Sequence, residues 1–257
     1  MATVRTTPNT LTDDLIQSYR NQGFVKVPGV ISREEAEEYR RAAIELQKSM
    51  QSLHQGPIFT QLVNAWTESE TMRRLTLHPN VGGIAERLAG IPLRLWHDHL
   101  LIKQPHNEAA TEYHQDFPYW PHGNSRHTLS AWIALVDVPV ERGCMTFIPG
   151  TQKRNDLRPQ DLSDHDDLME LWPELVYSPR VTLPLRAGDC TFHNGLCAHM
   201  ANSNDTDEPR VAHIIIYMDA DTTYTGAKHV VTDPLGLAAG QRLGDSSMFP
   251  AVSSMHS

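Results

Sequence analysis

The sequence predicts a mostly β protein with flanking α-helices, in which the helices pack against a β jelly roll. Three observations carry this. The first ~90 residues show a hydrophobic period near 3.6, the period changes to two from about Leu93, and turn signals then cut the chain into many short strands. The helical part is read over about 11–90, the β core over about 91–219 and a C-terminal tail over 220–257, all within one domain, 1–257.

Thr12 is placed to cap a helix with Leu15, Ile16 and Tyr19 on one face, and Gly23 to end it. Ser32 followed by Glu35 is a capping-box pair for a second helix running to roughly Leu46. Pro79 opens a third, whose Val81, Ile84, Ala85 and Leu88 share a face, and Gly90 stops it. In the β part, Leu129, Ala131, Ile133 and Leu135 alternate with Ser130, Trp132 and Ala134, and Arg210–Met218 is rich in β-branched residues. Trp96–Lys103, Cys144–Ile148, Val181–Leu185 and Cys190–His193 are shorter strand candidates, separated by Pro149-Gly150 and Ala187-Gly188-Asp189. Asp156–Pro179 and the tail after Asp219 are read as loops.

A chain of 257 residues can bury a sizeable core. Its net charge of -9 argues against broad nucleic-acid binding, which needs clustered Lys and Arg. An anionic ligand stays open, because one enclosed Arg can hold a carboxylate. Cys144, Cys190 and Cys197 form a poor disulfide framework and are read as free thiols in a reducing compartment. Met1–Thr10 is polar and lacks the apolar stretch of a signal peptide, and no apolar run approaches the ~18 residues of a membrane span. The expectation is a cytoplasmic protein that touches neither membrane nor nucleic acid, as a monomer or small homo-oligomer.

The sharpest chemical feature is Tyr113-His114-Gln115-Asp116-Phe117. On a strand, residues i and i+2 point to one side, so His114 and Asp116 would offer an imidazole and a carboxylate to one metal ion. Two histidines and one carboxylate on one octahedral face leave three positions open, which suits Fe(II). His165-Asp166-Asp167 repeats the spacing within an acidic stretch without strand pattern and is read as solvated loop. For a third ligand, the segment from Ala187 to His199 offers His193 and His199. Arg210 opens the most apolar strand, where its planar fork could take a carboxylate bidentately.

Taken together, these pieces resemble the phytanoyl-CoA dioxygenase family. The resemblance runs over nearly the full chain: Leu11–Val27, Pro28–Glu35, Leu101–Pro105, His114-Gln115-Asp116, Ser130–Leu135, Gly143–Gly150, Ala187–Asp189 and His199…Asn204…Arg210. It implies a double-stranded β-helix with iron at one end, and Fe(II), 2-oxoglutarate and O2 as its chemistry. It makes His199 the third ligand, with His193 in a supporting or core role, and sets Arg210 on the co-substrate's distal carboxylate. Trp132 and, more weakly, Lys103 are implied beside the co-substrate, while Gly143 and Asn204 look like structural positions. One departure stands out: the family often places Ser two residues after the distal histidine, where this chain has Ala201. Thr191 is the residue expected to compensate.

The resemblance implies a hydroxylase acting on a small organic molecule, such as a secondary metabolite. Related halogenases replace the carboxylate ligand with a small residue, and Asp116 is present here. Oxidative epimerisation, ring closure or desaturation on the same scaffold is the alternative. A non-redox cupin-type metal protein is a further one, on the strength of His97-Asp98-His99, although Lys103 or Gln104 stands where such proteins usually carry Glu. Tyr113, Phe117, Tyr119, Trp120 and Trp132 suggest an aromatic-lined pocket, and Asp156–Pro179 and the tail are candidate lids.

Overall fold

A computed structural model describes residues 5–50, 60–106 and 110–256; residues 1–4 of the polar N-terminus lie outside them. The helices are α1 (Asp13–Gln22), α2 (Arg33–Met50), α3 (Ala65–Glu68), α4 (Glu70–Thr76), α5 (Pro79–Ala89) and α6 (Asp167–Leu171). The strands are β1 (Phe24–Val27), β2 (Thr60–Val63), β3 (Leu93–Lys103), β4 (Thr111–His114) and β5 (Leu129–Ala134), then β6 (Met145–Phe147), β7 (Val181–Leu183), β8 (Cys190–Asn194), β9 (His199–Ala201) and β10 (Arg210–Asp219).

Local chemistry explains the helix ends. The Thr12 side chain accepts from Leu15 N–H, and Gly23 closes α1 in the left-handed region at φ 87° with its N–H on Tyr19 O. Before α2, Ser32 N–H donates to Glu35 Oε2 at 2.7 Å and Glu35 N–H to Ser32 Oγ at 3.1 Å, a reciprocal capping box. Two strands, β1 and β2, interrupt the region read as helical. Each has four residues, too few to register a period of two between helices, and each is fixed by a distant partner: β1 pairs with β8, and β2 with β3.

The ten strands of the described residues all pair antiparallel. One six-stranded sheet has the order β1-β8-β5-β10-β3-β2, and a four-stranded sheet has β4-β9-β6-β7. Every residue of β10 is buried, because β5 and β3 flank it and both of its faces are covered. Val211, Ile215 and Tyr217 join the core beneath the helices; Ala212, Ile214, Ile216 and Met218 face the space between the sheets. The regions read as loops carry some structure. Residues 167–171 form α6, and the tail folds back, with Phe249 stacked on Trp96 at 5.5 Å and Val252 in the helical core. Cys144, Cys190 and Cys197 are buried free thiols. Among the described residues no helix is long and apolar enough to cross a membrane.

Candidate active site

A cavity of about 280 Å³ lies between the sheets, and His114, Asp116 and His199 stand together in its wall. One ligand atom from each lies within 4.8 Å of the others. His114 ends β4 and His199 begins β9, and the two are cross-strand partners. Asp116 reaches the site differently from expected. The strand ends at His114, and Asp116 has helical dihedrals (φ -71°, ψ -42°) ahead of a 3-10 turn, Phe117–Tyr119. A turn, rather than i, i+2 strand geometry, brings its carboxylate over. The intervening Gln115 pins that turn: fully buried, its amide donates to Leu196 O at 2.7 Å and Arg154 O at 3.0 Å, while its N–H donates to Gln160 Oε1 at 2.8 Å.

The outward atoms of all three side chains are occupied. His114 Nδ1 bonds Glu112 O at 2.7 Å and His199 Nδ1 bonds Cys197 O at 2.9 Å. A carbonyl only accepts, so both Nδ1 atoms carry the proton and both Nε2 lone pairs face the cavity. Asp116 Oδ1 sits 3.4 Å from His114 Nε2 and 3.8 Å from His199 Nε2. Its other oxygen, Oδ2, accepts from Ser130 Oγ at 3.2 Å and lies 3.4 Å from His193 Nε2. Burial opposes charge on Asp116, yet its carboxyl lies well below the usual range. Burial, then His114, pushes His199 down to about 3, so it stays neutral and able to ligate. Donor types, tautomers and spacing all fit a divalent iron bound on one face.

Arg210 lines the same cavity although it is 1% exposed. Nη1 donates to Gly143 O at 2.9 Å, the guanidinium lies 5.5 Å from the Trp132 ring centroid, and Nε has no partner. Burial brings its pKa down to about 10, and among the described residues no carboxylate pairs with it. A buried cation with spare donors at a cavity wall fits an incoming carboxylate. Gly143 holds φ 79°, and a Cβ there would lie 2.7 Å from the carbonyls of Asn202 and Ser203. Asn204 ties the following loop, donating to Lys103 O, Gln104 O and Glu208 O.

Lys103 and Thr191 lie outside the cavity lining. Lys103 is the cross-strand partner of Arg210, but its Nζ donates to Asn202 O at 2.8 Å; burial, then Arg210, brings it down to about 7. Thr191 Oγ1 meets Met145 Sδ at 3.9 Å, and Met145 faces the cavity in its place. Thr111, which the sequence reading missed, lines the cavity as the cross-strand partner of Ala201. Its strand is too short to be found by pattern. The repeated motif disperses: His165 bonds Glu112, while Asp167 takes Arg158 bidentately. His97 and His99 contact each other on another wall, Nε2 to Nε2 at 2.8 Å. Both candidate lids reach the cavity, through Leu162 from one and His229 and Val230 from the other.

Fold and site together define a class: the 2-oxoglutarate-dependent non-haem iron oxygenases. Residues 19–212 match the phytanoyl-CoA dioxygenase (PhyH) model, and the chain belongs to that family. It is 38% identical to SnoK, a non-haem α-ketoglutarate-dependent carbocyclase from nogalamycin biosynthesis, with a TM-score of 0.86 over 96% of this chain and 99% of that one. It is also 38% identical to the epimerase SnoN, solved with Fe3+, α-ketoglutarate (2-oxoglutarate) and nogalamycin RO, with a TM-score of 0.81 over 93% of this chain and 98% of that one. Mouse phytanoyl-CoA dioxygenase domain-containing protein 1 is 30% identical over 128 residues, 48% of this chain and 44% of that protein, so the match spans less than half of that relative.

Proposed function

We propose that this chain oxidises a C–H bond of a small organic molecule, with iron held by His114, Asp116 and His199 and 2-oxoglutarate by Arg210. Residues 1–257 act as one domain whose two sheets form a double-stranded β-helix. The observation that supports this best is the convergence of a His-Asp-His triad and a buried Arg with unpaired donor capacity on one cavity. Iron with 2-oxoglutarate and O2 supplies the oxidant that removes a hydrogen atom, while 2-oxoglutarate becomes succinate and CO2. The protein's part is placement and exclusion of water. Arg210 orients the distal carboxylate, and the Trp132 ring keeps the guanidinium in line. Thr111 supplies the hydroxyl that Ala201 lacks, across the same strand pair, and takes the role expected of Thr191. Lys103 braces the loop behind Arg210 through Asn202 O.

Hydroxylation is the first outcome, given the intact Asp116. Likeness over nearly the whole chain to a carbocyclase and an epimerase favours a second, ring closure or inversion at the attacked centre in place of hydroxylation. The test is anaerobic. Fe(II) followed by 2-oxoglutarate should give a weak visible charge-transfer band, present only with both and lost in His199→Ala. A folded protein that gives no band refutes the assignment.

A further inference from the structure

We infer that the wall built from Gln61, His97, His99 and His229 reads the substrate, and that the part entering the cavity is an uncharged ring compound bearing hydroxyl or carbonyl oxygens. This rests on the proposed function and specifies its substrate class.

The charge content of the cavity comes first. Among the described residues its lining holds one cation of fixed charge, Arg210, and one carboxylate, Asp116. Both are committed, one to the co-substrate and one to the iron. Among the described residues a substrate carboxylate or ammonium would therefore be buried without a partner of opposite charge, which is strongly unfavourable. Away from the triad, Gln61, His97, His99 and His229 form a wall of imidazole and amide, while Thr111, Ser130 and Tyr119 add hydroxyls elsewhere in the lining. The His97 and His99 rings lie 4.5 Å apart and those of His97 and His229 5.5 Å apart, so charging one opposes charging the next. Burial drives all three below the usual histidine range, His99 to about 4. The wall is neutral at physiological pH.

The wall is also built, with its rings held in place. Gln61 Nε2 lies 3.0 Å from His99 Nδ1, and His99 Nε2 lies 2.8 Å from His97 Nε2, a relay of neutral groups. Trp96, 1% exposed, packs against His97 at 5.2 Å and His229 at 5.1 Å. His229 Nδ1 accepts from Val231 N–H at 3.2 Å, which leaves the neutral ring's proton on Nε2 as a donor. A saturated acyl chain would leave the His229 Nε2–H donor without a partner, whereas a substrate oxygen satisfies it.

Calorimetry on the purified protein with 2-oxoglutarate tests this, using four probes: 1,8-dihydroxyanthraquinone, a neutral aryl glycoside, L-proline and phytanoyl-CoA. One or both neutral oxygenated rings should bind more tightly than L-proline and phytanoyl-CoA, and the two arms distinguish an aromatic from a sugar edge. His229→Phe and Gln61→Leu should each weaken that binding about fivefold to tenfold, and His229→Gln, which keeps a donor, should recover most of it. Near-UV circular dichroism reports whether each variant is folded, and the iron–2-oxoglutarate band is recorded alongside. Tighter binding of L-proline or phytanoyl-CoA overturns the inference. So does unchanged affinity in both His229→Phe and Gln61→Leu while the band persists, and the proposed function then survives. Absence of the band from the wild-type protein removes both.

Discussion

His114 and His199 face each other across the β4–β9 ladder, with ring centroids 4.3 Å apart, and each ties its Nδ1 to the carbonyl two residues before it. Two strands thus use one local device to aim two imidazoles at one point. The carboxylate between them depends on Ser130, which donates to Asp116 Oδ2 at 3.2 Å. Ser130→Ala should leave the fold intact and weaken iron binding about tenfold, the usual cost of losing a partner behind a ligand. Asp116→Ala should abolish turnover. An anaerobic Fe(II) titration checks both, and unchanged affinity in Ser130→Ala refutes its positioning role.

Arg210 and Thr111 should separate in kinetics. Arg210→Leu removes the only fixed cation of the described cavity lining and should raise the KM for 2-oxoglutarate about 100-fold or more. Thr111→Val removes one hydroxyl and should raise it about fivefold to tenfold. Because Thr111 and Ala201 are cross-strand partners, Ala201→Ser should offset much of the Thr111→Val defect. Steady-state succinate formation gives all three constants, and simple additivity in the double variant refutes a shared carboxylate contact.

The sequence was most readable where chemistry is local. The caps at Thr12, Ser32 and Gly90 lie beside the helices they bound, and β5 and β10 are long enough to show their pattern. The spacing of His114 and Asp116 pointed to one site, although a 3-10 turn and not strand alternation delivers the carboxylate. What stayed hidden is long-range. Thr111 becomes relevant only through pairing with Ala201, and Met145 displaces Thr191 from the cavity because a second sheet lies there. The histidine wall draws on β3 and on a tail segment more than 120 residues later, a juxtaposition that no local pattern encodes.

Stability should fall on acidification, by an amount that the buried groups set. Burial pushes His213 and His122 down to about 3. Unfolded, each takes a proton below about 6.5, so stability present above that pH is lost as pH falls from 6.5 toward 3. Asp98 opposes them. Burial raises it to about 7, so between 7 and the unfolded value near 4 the folded state holds an extra proton and gains stability as pH falls. Asp98→Asn retains an acceptor for Trp66 N–H and Thr76 Oγ, which both donate to Asp98 Oδ2. It should make the loss between pH 6.5 and 4 steeper by about one proton, or about 1.4 kcal/mol per pH unit. Denaturant melts at several pH values decide this, and a parallel shift with unchanged slope refutes it.

The acidic segment should divide into a substrate-facing part and an anchor. Leu162 lines the cavity, but two residues earlier Gln160 Oε1 accepts from Gln115 N–H at 2.8 Å, within the turn that carries Asp116. Tyr119 OH also donates to Gln160 O. Deleting the whole loop would therefore disturb the proposed metal site as well as the cavity wall at Leu162. Leu162→Ala should change the KM for substrate severalfold, leaving iron affinity and the KM for 2-oxoglutarate unaltered. Gln160→Ala should weaken iron binding about tenfold, because the buried Gln115 N–H loses its acceptor and the turn loosens. Metal titration and substrate kinetics on the two variants give a crossed pattern if the division is real. Equal effects of both variants on iron would make the segment a single structural unit and Leu162 no part of substrate selection.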